Sequence, residues 1–395
     1  MDRTYKKQLA AYLETQKVSQ ARSAEYLGLS QGHVARLLKE AEKDKILVRV
    51  RESFFKPVGI DPDRLRKIEG FLVPKRLRER LADLDQRKVI SKPQTLSVQD
   101  SGSDDTAPTA WEKRLSQFGR AAARVVGEQL VESSVCGIAW GGTIGSLVDG
   151  LWPVYRNPPR KESPISFVAT VAEPLSSTFS RSLAKTSSTA LADRLALIFN
   201  GETEKSFGLR GIPAIVPWKF RSSSQLAVIR RYIECSESYL TVFGERTSST
   251  SKRRKAPLVE RMDTILTSAG TPGFTERNEY SRELLYAWGD QNRAVLGWIL
   301  GDIGGVLVPR EEFKDRKEFQ RIADTWTGIT YDEYERCAAK ARKSKRPGVV
   351  LTAIGGHKAA LVLEVLRRGL VNVLVIDQNL ARELNNLCAE ELEAR

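Results

Sequence analysis

The chain has 395 residues, of which 41% are hydrophobic and 28% charged, a composition typical of a globular protein with two domains or one domain and an appendage. Its formal net charge of +14 favours a polyanionic partner: nucleic acid, a phosphorylated ligand or an acidic membrane. No apolar run is long enough to span a membrane, the N-terminus lacks the apolar segment of an export signal, and the four cysteines and two histidines are scattered. We therefore expect a cytoplasmic protein without membrane contact, disulfide framework, metal site or cofactor.

Residues 18–45 predict two short helices joined by a tight turn. Gly28 suits the exit from the first helix because glycine takes a positive φ at no steric cost, and Ser30 is an expected N-cap of the second helix. Apolar residues recur at helical spacing and are expected to form the core between the two helices: Val18, Ala21, Ala24 and Leu27 in the first, and Val34, Leu37, Leu38 and Ala41 in the second.

The outer side of the second predicted helix is polar and basic, with Ser30, Gln31, His33, Arg36 and Lys39 at its N-terminal end and along its face. Such residues suit the reading of base edges in the major groove of DNA. The first 80 residues hold 19 Lys and Arg against 11 Asp and Glu, a net charge of +8. The alternative is a solvated helical hairpin with ordinary surface charge.

The stretch ILVRVRE follows and predicts a strand with one basic face, on which Arg49 and Arg51 would contact phosphates. Residues 1–57 are thus predicted to form a winged helix-turn-helix DNA-binding domain. Residues 58–395 would hold a basic, partly helical connector interrupted by Pro74, then a mobile loop over about residues 91–110 that is rich in Ser, Asp, Thr and Pro, then a ligand-binding domain.

From Trp111 onward, helical patterns alternate with short apolar runs. This alternation predicts an α/β domain with a mainly parallel sheet, in which ligands bind beyond the carboxyl ends of the strands. The later strand candidates are ISFVATV, AIVPW, YLTVFG, TILTSAGT, VLGWILGDIGGVLV, GVVLTAI and VNVLVI.

Two glycine turns stand out in this region. Gly141, Gly142 and Thr143 open a predicted helix after a strand, where backbone N–H groups and a hydroxyl would form a phosphate cradle or merely a tight turn.

The second turn lies in a predicted βαβα unit over residues 348–387. Gly355 and Gly356 follow its first strand, and Lys358 is placed either to reach an anion or to lie on the surface. Asp377 follows its last strand and would bind ligand hydroxyls or cap the next helix.

The terminal block, with GG-KA at residues 355–359 and GLVNVL at residues 369–374, resembles the end of the SorC family of sugar-responsive bacterial transcriptional regulators. The CGIAWGGT, Gly301-Asp302-Ile303 and MDTILTSAGT segments are also similar to blocks of that family, and the helix-turn-helix frame of residues 24–41 resembles its N-terminal part.

The resemblance implies a sensor domain like those of sugar-phosphate isomerases and deaminases, which binds a phosphorylated sugar without converting it. It also implies that Gly141, Gly142 and Thr143 contact phosphate, that Lys358 pairs with it, and that Asp263 lines the pocket. Gly142 stands where the family usually has arginine, so the ligand is expected to differ from the family norm.

These features together predict a regulator that binds a double-stranded DNA operator as a homo-oligomer, a dimer or tetramer, under the control of a small metabolite. We expect it not to be an enzyme. Two alternatives remain: a sugar-phosphate isomerase or deaminase, and a basic scaffold that binds any duplex through charge alone.

Overall fold

The structure is a computed structural model that describes residues 3–15, 18–44, 62–101, 108–155, 163–173, 185–217, 222–244, 256–272, 294–317, 319, 323–344 and 346–394. The chain divides into two compact units, residues 1–75 and 76–395. The boundary predicted at residue 57 and the predicted wing with Arg49 and Arg51 lie outside the described residues.

The N-terminal unit contains the predicted helical hairpin. Its helices are α1 (Arg3–Thr15), α2 (Gln20–Leu27) and α3 (Gln31–Lys43). Gly28 ends α2 in the left-handed conformation with φ 61°, and the Ser30 hydroxyl accepts a hydrogen bond from the backbone N–H of His33 at 3.3 Å. The turn and the N-cap predicted from the sequence are therefore confirmed.

Helix α1 was not among the sequence predictions, yet it completes the core of this unit. It contributes a group of buried apolar residues, Leu9, Ala10, Ala11 and Leu13, which pack with those of α2 and α3. Ala21 was predicted to join them but is exposed, because the buried side of α2 is formed by Ser23, Ala24 and Leu27 and Ala21 is turned away from it.

The connector forms one helix, α4 (Pro62–Gln86), in which Pro74 is internal and does not end the helix as predicted. A proline removes a single intrahelical hydrogen bond, and the turns that follow are held by Leu77, Leu81 and Leu84, which are buried at helical spacing.

The predicted mobile loop is also corrected. Residues 95–99 form strand β1 (Thr95–Gln99), which pairs in parallel with a strand near the end of the chain, and α5 (Pro108–Val131) begins within the same stretch. Residues 102–107 lie outside the described part.

Helices and strands alternate over much of the rest of the chain, as predicted. The strands are β2 (Val135–Ile138), β3 (Ser166–Ala169), β4 (Ser206–Phe207), β5 (Thr264–Gly270), β6 (Ile299–Ile303), β7 (Val306–Pro309), β8 (Gly348–Ala353) and β9 (Val373–Asp377). The helices are α6 (Gly142–Tyr155), α7 (Ser188–Asn200), α8 (Ser223–Glu234), α9 (Glu237–Phe243), α10 (Leu258–Arg261), α11 (Val295–Trp298), α12 (Tyr331–Arg342), α13 (Ala359–Arg367) and α14 (Gln378–Glu393), with single 3₁₀ turns at Glu311–Phe313 and Gly356–Lys358.

Seven of these strands form a parallel sheet in the order β1-β9-β8-β5-β2-β3-β4, while β6 and β7 form an antiparallel hairpin attached to β5. The prediction of an α/β fold with a mainly parallel sheet is therefore confirmed. Strands β3 and β4 lie on one side of β2, whereas β5 and the later strands lie on the other. The direction of winding thus reverses between β2 and β5.

Three strand predictions were wrong in detail. YLTVFG forms α9, because Tyr239 and Val242 are buried three residues apart on one face of a helix. The described part of AIVPW, residues 214–217, is not a strand, and Ile215 makes an isolated bridge with Trp326. VLGWILGDIGGVLV is not one strand but α11 followed by the β6–β7 hairpin.

The core of the large unit lies between the sheet and helices α5, α6 and α7. It is formed by fully buried aliphatic and aromatic side chains, among them Phe118, Ile138, Leu147, Phe167 and Leu195. Among the helices that the structure describes, none combines the length and the apolarity that a membrane crossing requires.

Candidate functional site

The candidate site lies at the carboxyl edge of the parallel sheet. The glycine turns after β2 and β8 flank the end of β5, which lies between these two strands in the sheet. With neighbouring strands about 4.8 Å apart, the two turns are separated by about 10 Å, the width of a small ligand. In open α/β sheets, ligands bind where the winding reverses, and here the reversal occurs between β2 and β5.

The first turn opens α6. The carbonyl oxygen of Gly141 accepts a hydrogen bond from the N–H of Gly145 at 2.9 Å, so the N–H groups of the first residues of α6 face the sheet edge without an intrahelical acceptor. Thr143 is 6% exposed, and its hydroxyl makes no hydrogen bond with another residue of the described part. The turn thus places backbone N–H groups and a hydroxyl at the sheet edge, an arrangement suited to an anion, and the phosphate cradle stays a prediction.

The second turn requires glycine. Gly355 has φ 96°, and a Cβ added to it would lie 2.5 Å from Cε1 of His357. Its N–H donates to Asp377, and its carbonyl oxygen accepts from the N–H of Lys358 at 3.1 Å. A Cβ added to Gly356 would lie 2.6 Å from Cγ of Glu383. This backbone conformation places Lys358 at the sheet edge.

Asp377 is completely buried and fixes this turn. One carboxylate oxygen accepts from the N–H groups of Gly355 and Leu380, each at 3.0 Å, so Asp377 is the predicted N-cap of α14. The other accepts from the Ser101 hydroxyl at 2.8 Å and from Arg114 at 2.9 Å. These four bonds fill the lone pairs of the carboxylate, so Asp377 positions the turn and has no acceptor left for ligand hydroxyls.

Lys358 is the least compensated charge of the site. It is 5% exposed, and its ammonium makes neither a hydrogen bond nor an ion pair with any residue that the structure describes. Burial lowers the pKa of Lys358 to about 8, and the carboxylates of Asp302 and Asp377 oppose this effect only in part. A buried ammonium without an acceptor favours the binding of an anion.

Asp302 lies at the centre of the site, because it pairs with Gly270 at the carboxyl end of β5. Its carboxylate accepts from the N–H of Gly305 at 2.8 Å, and burial raises its pKa. Burial and the positive charge of Lys358 lower the pKa of His357 to about 4, so its imidazole is neutral at pH 7. The site thus combines one carboxylate and one neutral imidazole with the lysine.

Trp111 and Arg114 belong to the site but were missed in the sequence. Both lie near the start of α5, where the Lys358 ammonium is 6.0 Å and the Arg114 guanidinium carbon 5.5 Å from the centre of the Trp111 ring. The indole thus lies beside both cations at the start of α5. A tryptophan followed three residues later by an arginine on one helix face was the available signal.

Asp263 lies at the opposite edge of the sheet, which corrects the prediction that it lines the same pocket. It precedes β5, and its carboxylate accepts from the N–H groups of Ser134 and Val135 at the start of β2. Arg346 lies 3.7 Å from it. Because parallel strands all begin at one edge, a residue before β5 cannot reach the turns after β2 and β8.

The predicted DNA-reading surface is on α3. Gln31, His33, Arg36 and Lys39 are exposed, while Val34 and the other apolar residues of α3 are buried. Ser30 is exposed too, although its hydroxyl is used in the cap. The helix therefore presents the predicted polar and basic face to solvent.

Two described cavities lie away from the glycine turns. One of about 90 Å³ is apolar and lies beside the β6–β7 hairpin, against Phe319 and Trp326. The other, of about 350 Å³, is an open groove between α13 and α14, bordered by Leu363 and Leu387.

No family model and no curated protein matches the sequence. Solved structures do match. A domain assigned to sugar binding in a transcriptional repressor from Vibrio fischeri is 13% identical, with a TM-score of 0.50, and the match covers 80% of this chain and 98% of that one. A domain of a regulator from Arthrobacter aurescens TC1, also assigned to sugar binding, is 16% identical, with a TM-score of 0.50 and coverage of 78% and 97%.

The large unit has the fold of these sugar-binding domains. The full-length sorbitol operon regulator SorC from Klebsiella pneumoniae also matches, at 16% identity and a TM-score of 0.47 over 97% of this chain and 99% of that one. The two domains that match with a TM-score of 0.50 show the fold alone, and the ligand of this chain is a separate question.

Proposed function

We propose that this protein is a DNA-binding transcriptional regulator of the SorC type, whose sugar-binding-domain fold holds a phosphorylated sugar or a related metabolite that controls operator binding. The observation that carries the proposal is the buried and unpaired Lys358, which follows β8 next to the reversal point of the sheet, in a chain whose other unit exposes a helix with a polar and basic face. One unit would bind DNA and the other its effector.

The N-terminal unit supports the DNA-binding half of the proposal. A capped helix with an apolar inner side and Gln31, His33 and Arg36 at its outer N-terminal end matches the way in which helix-turn-helix proteins read the major groove. Arginine would contact guanine edges, and Lys39 would contact phosphate.

The effector site supports the other half. Free N–H groups at the start of α6, the unpaired Thr143 hydroxyl and the Lys358 ammonium are donors for a phosphate group, whereas Asp302 can accept hydrogen bonds from sugar hydroxyls. Effector binding would change how two or four subunits pair, and so whether two α3 helices match successive half-sites about 34 Å apart.

DNA binding is tested by fluorescence anisotropy with duplex DNA from upstream of the protein's own gene and with a scrambled duplex, at moderate salt. We expect Arg36→Ala to weaken binding to the specific duplex by about tenfold or more, since one good base contact contributes about 1–3 kcal/mol. Arg120→Ala, which removes another exposed cation, from α5 of the large unit, is the control and should have little effect. Equal affinity for both duplexes would contradict the proposal and support the basic scaffold.

The effector is sought by thermal shift with a panel of sugar phosphates and the same sugars without phosphate. A ligand that binds only the folded state raises the melting temperature, and we expect only phosphorylated compounds to do so. A compound found in this way should then change the DNA affinity. If no compound does both, the regulatory proposal fails.

An enzyme is a second candidate, because Asp302 and Lys358 have pKa values shifted towards neutrality within one site, as acid–base groups often do. Incubation of the protein with each stabilising sugar phosphate distinguishes the two: conversion to an isomer or a deaminated product supports the enzyme, whereas unchanged compound supports the regulator.

A further inference from the structure

We propose that Arg114 on α5 is the second cation of the effector site, so that a phosphate monoester is held between its guanidinium and the Lys358 ammonium. This inference rests on the proposed function and deepens it. It assigns the second charge to α5, whose first turns lie at the carboxyl edge of the sheet, and it predicts a preference for doubly charged ligands.

The hydrogen bonding of Arg114 leaves part of its guanidinium unused. The side chain is buried, and Nη2 donates to Asp377 at 2.9 Å. Nε is also buried but has no hydrogen-bond partner among the described residues. A buried donor without an acceptor is costly, and an anion that supplied the acceptor would remove this cost.

Arg114 and Lys358 lie near each other around one indole. The guanidinium carbon is 5.5 Å and the ammonium 6.0 Å from the centre of the Trp111 ring. Burial is the main cause that lowers the pKa of Lys358, and the positive charge of Arg114 adds to it in the same direction. Asp377 is already engaged by Arg114 and by backbone N–H groups. An anion placed between the two cations would relieve their repulsion.

The first glycine turn supplies backbone donors but no charge. Gly142 has no side chain, and the space beside it is bordered by Leu115, the residue after Arg114, at 3.6 Å from a Cβ position. Helix α5 therefore lies against the turn and brings its arginine to the same edge. A phosphate monoester carries a charge of about −1.5 to −2 at pH 7, which two cations match better than one.

The test is calorimetric titration of the full chain with inorganic phosphate and with glucose 6-phosphate. The variant is Arg114→Gln combined with Asp377→Asn, which removes both members of the ion pair together and keeps an N-cap residue for α14. We expect it to bind both probes at least about tenfold more weakly than the wild type, because a charge-assisted hydrogen bond is lost. Arg120→Gln, on the exposed side of the same helix, should bind as the wild type does.

The outcomes separate this inference from the proposed function. If Lys358→Gln loses phosphate binding but the double variant binds within twofold of the wild type, Arg114 is not part of the site, and the regulator proposal stands. If the wild type binds neither probe and no other sugar phosphate, both proposals fall.

A second measurement does not depend on the folding of the Arg114 variant. Phosphate bound between the two cations should alter the emission of Trp111, so the phosphate-induced change in tryptophan fluorescence should largely disappear in Trp111→Phe. A change that persists in full in this variant would overturn the inference.

Discussion

Replacement of Lys358 by methionine should stabilise the protein while it abolishes anion binding. Burial lowers the pKa of Lys358 from its ordinary value of 10.5 to about 8, although Asp302 and Asp377 oppose the effect. At about 1.4 kcal/mol for each pKa unit, this shift corresponds to about 3 kcal/mol of destabilisation at neutral pH. Methionine has a similar length and no charge, so we expect the free energy of unfolding to rise by about 1–3 kcal/mol.

The pH dependence of the stability follows from the lowered pKa of Lys358. Because the pKa is lower in the folded state, the unfolded chain binds more protons between about pH 8 and 10.5, and the wild type gains stability as the pH rises through that window. Below about pH 8 both states are protonated, and the destabilisation is present in full.

Urea unfolding followed by circular dichroism at pH 7 to 10 measures this difference. Lys358→Met should exceed the wild type at pH 7, and the gap should narrow towards pH 10. Lys113→Met removes an exposed lysine of α5 and should show neither effect. A Lys358→Met protein less stable than the wild type at pH 7, or a gap constant between pH 7 and 10, would refute the reasoning.

Further predictions concern the residues around Lys358. Asp377→Ala should lower the free energy of unfolding by about 3–5 kcal/mol, since it leaves a buried guanidinium unpaired and removes an N-cap, whereas Asp377→Asn should cost less in the same urea titration. Gly355→Ala should lower the free energy of unfolding by about 1–3 kcal/mol and weaken phosphate binding in calorimetry, because Gly355 has φ 96° and an added Cβ would collide with His357. Gly142→Ala should be tolerated, because the atom nearest to its added Cβ, in Leu115, is 3.6 Å away. Asp263→Ala should lower the free energy of unfolding by about 1–3 kcal/mol, because it removes the acceptor of the Ser134 and Val135 N–H groups. It should leave the phosphate affinity within twofold of the wild type, because Asp263 lies at the opposite edge of the sheet. A large loss of affinity would mean that Asp263 belongs to the site after all.

The features that the sequence predicted correctly depend on neighbours close along the chain. The turn at Gly28 and the N-cap at Ser30 follow from backbone preferences of single residues, and the inner face of α3 follows from the spacing of Val34 and Leu37. The glycine turns at Gly141 and Gly355 could be placed for the same reason, because each lies directly between a strand and a helix.

Predictions failed where a distant contact outweighs a local preference. The YLTVFG segment has the β-branched and aromatic residues of a strand, but burial of Tyr239 and Val242 on one side favours a helix. Residues 95–99 have little to bury, and they become a strand only because β9 offers a parallel partner from the other end of the chain.

The sequence alone determined an α/β chain with a capped, basic helix near its start and glycine turns suited to an anion, because each of these properties resides in a few consecutive residues. Only the tertiary structure decided which charged groups share one site. Asp377 meets Ser101 and Arg114, which are 276 and 263 residues away, whereas Asp263 is held at the opposite edge of the sheet. The order of the strands in the sheet determines which of these residues come into contact. That order depends on how the whole core packs, and no local sequence pattern encodes it.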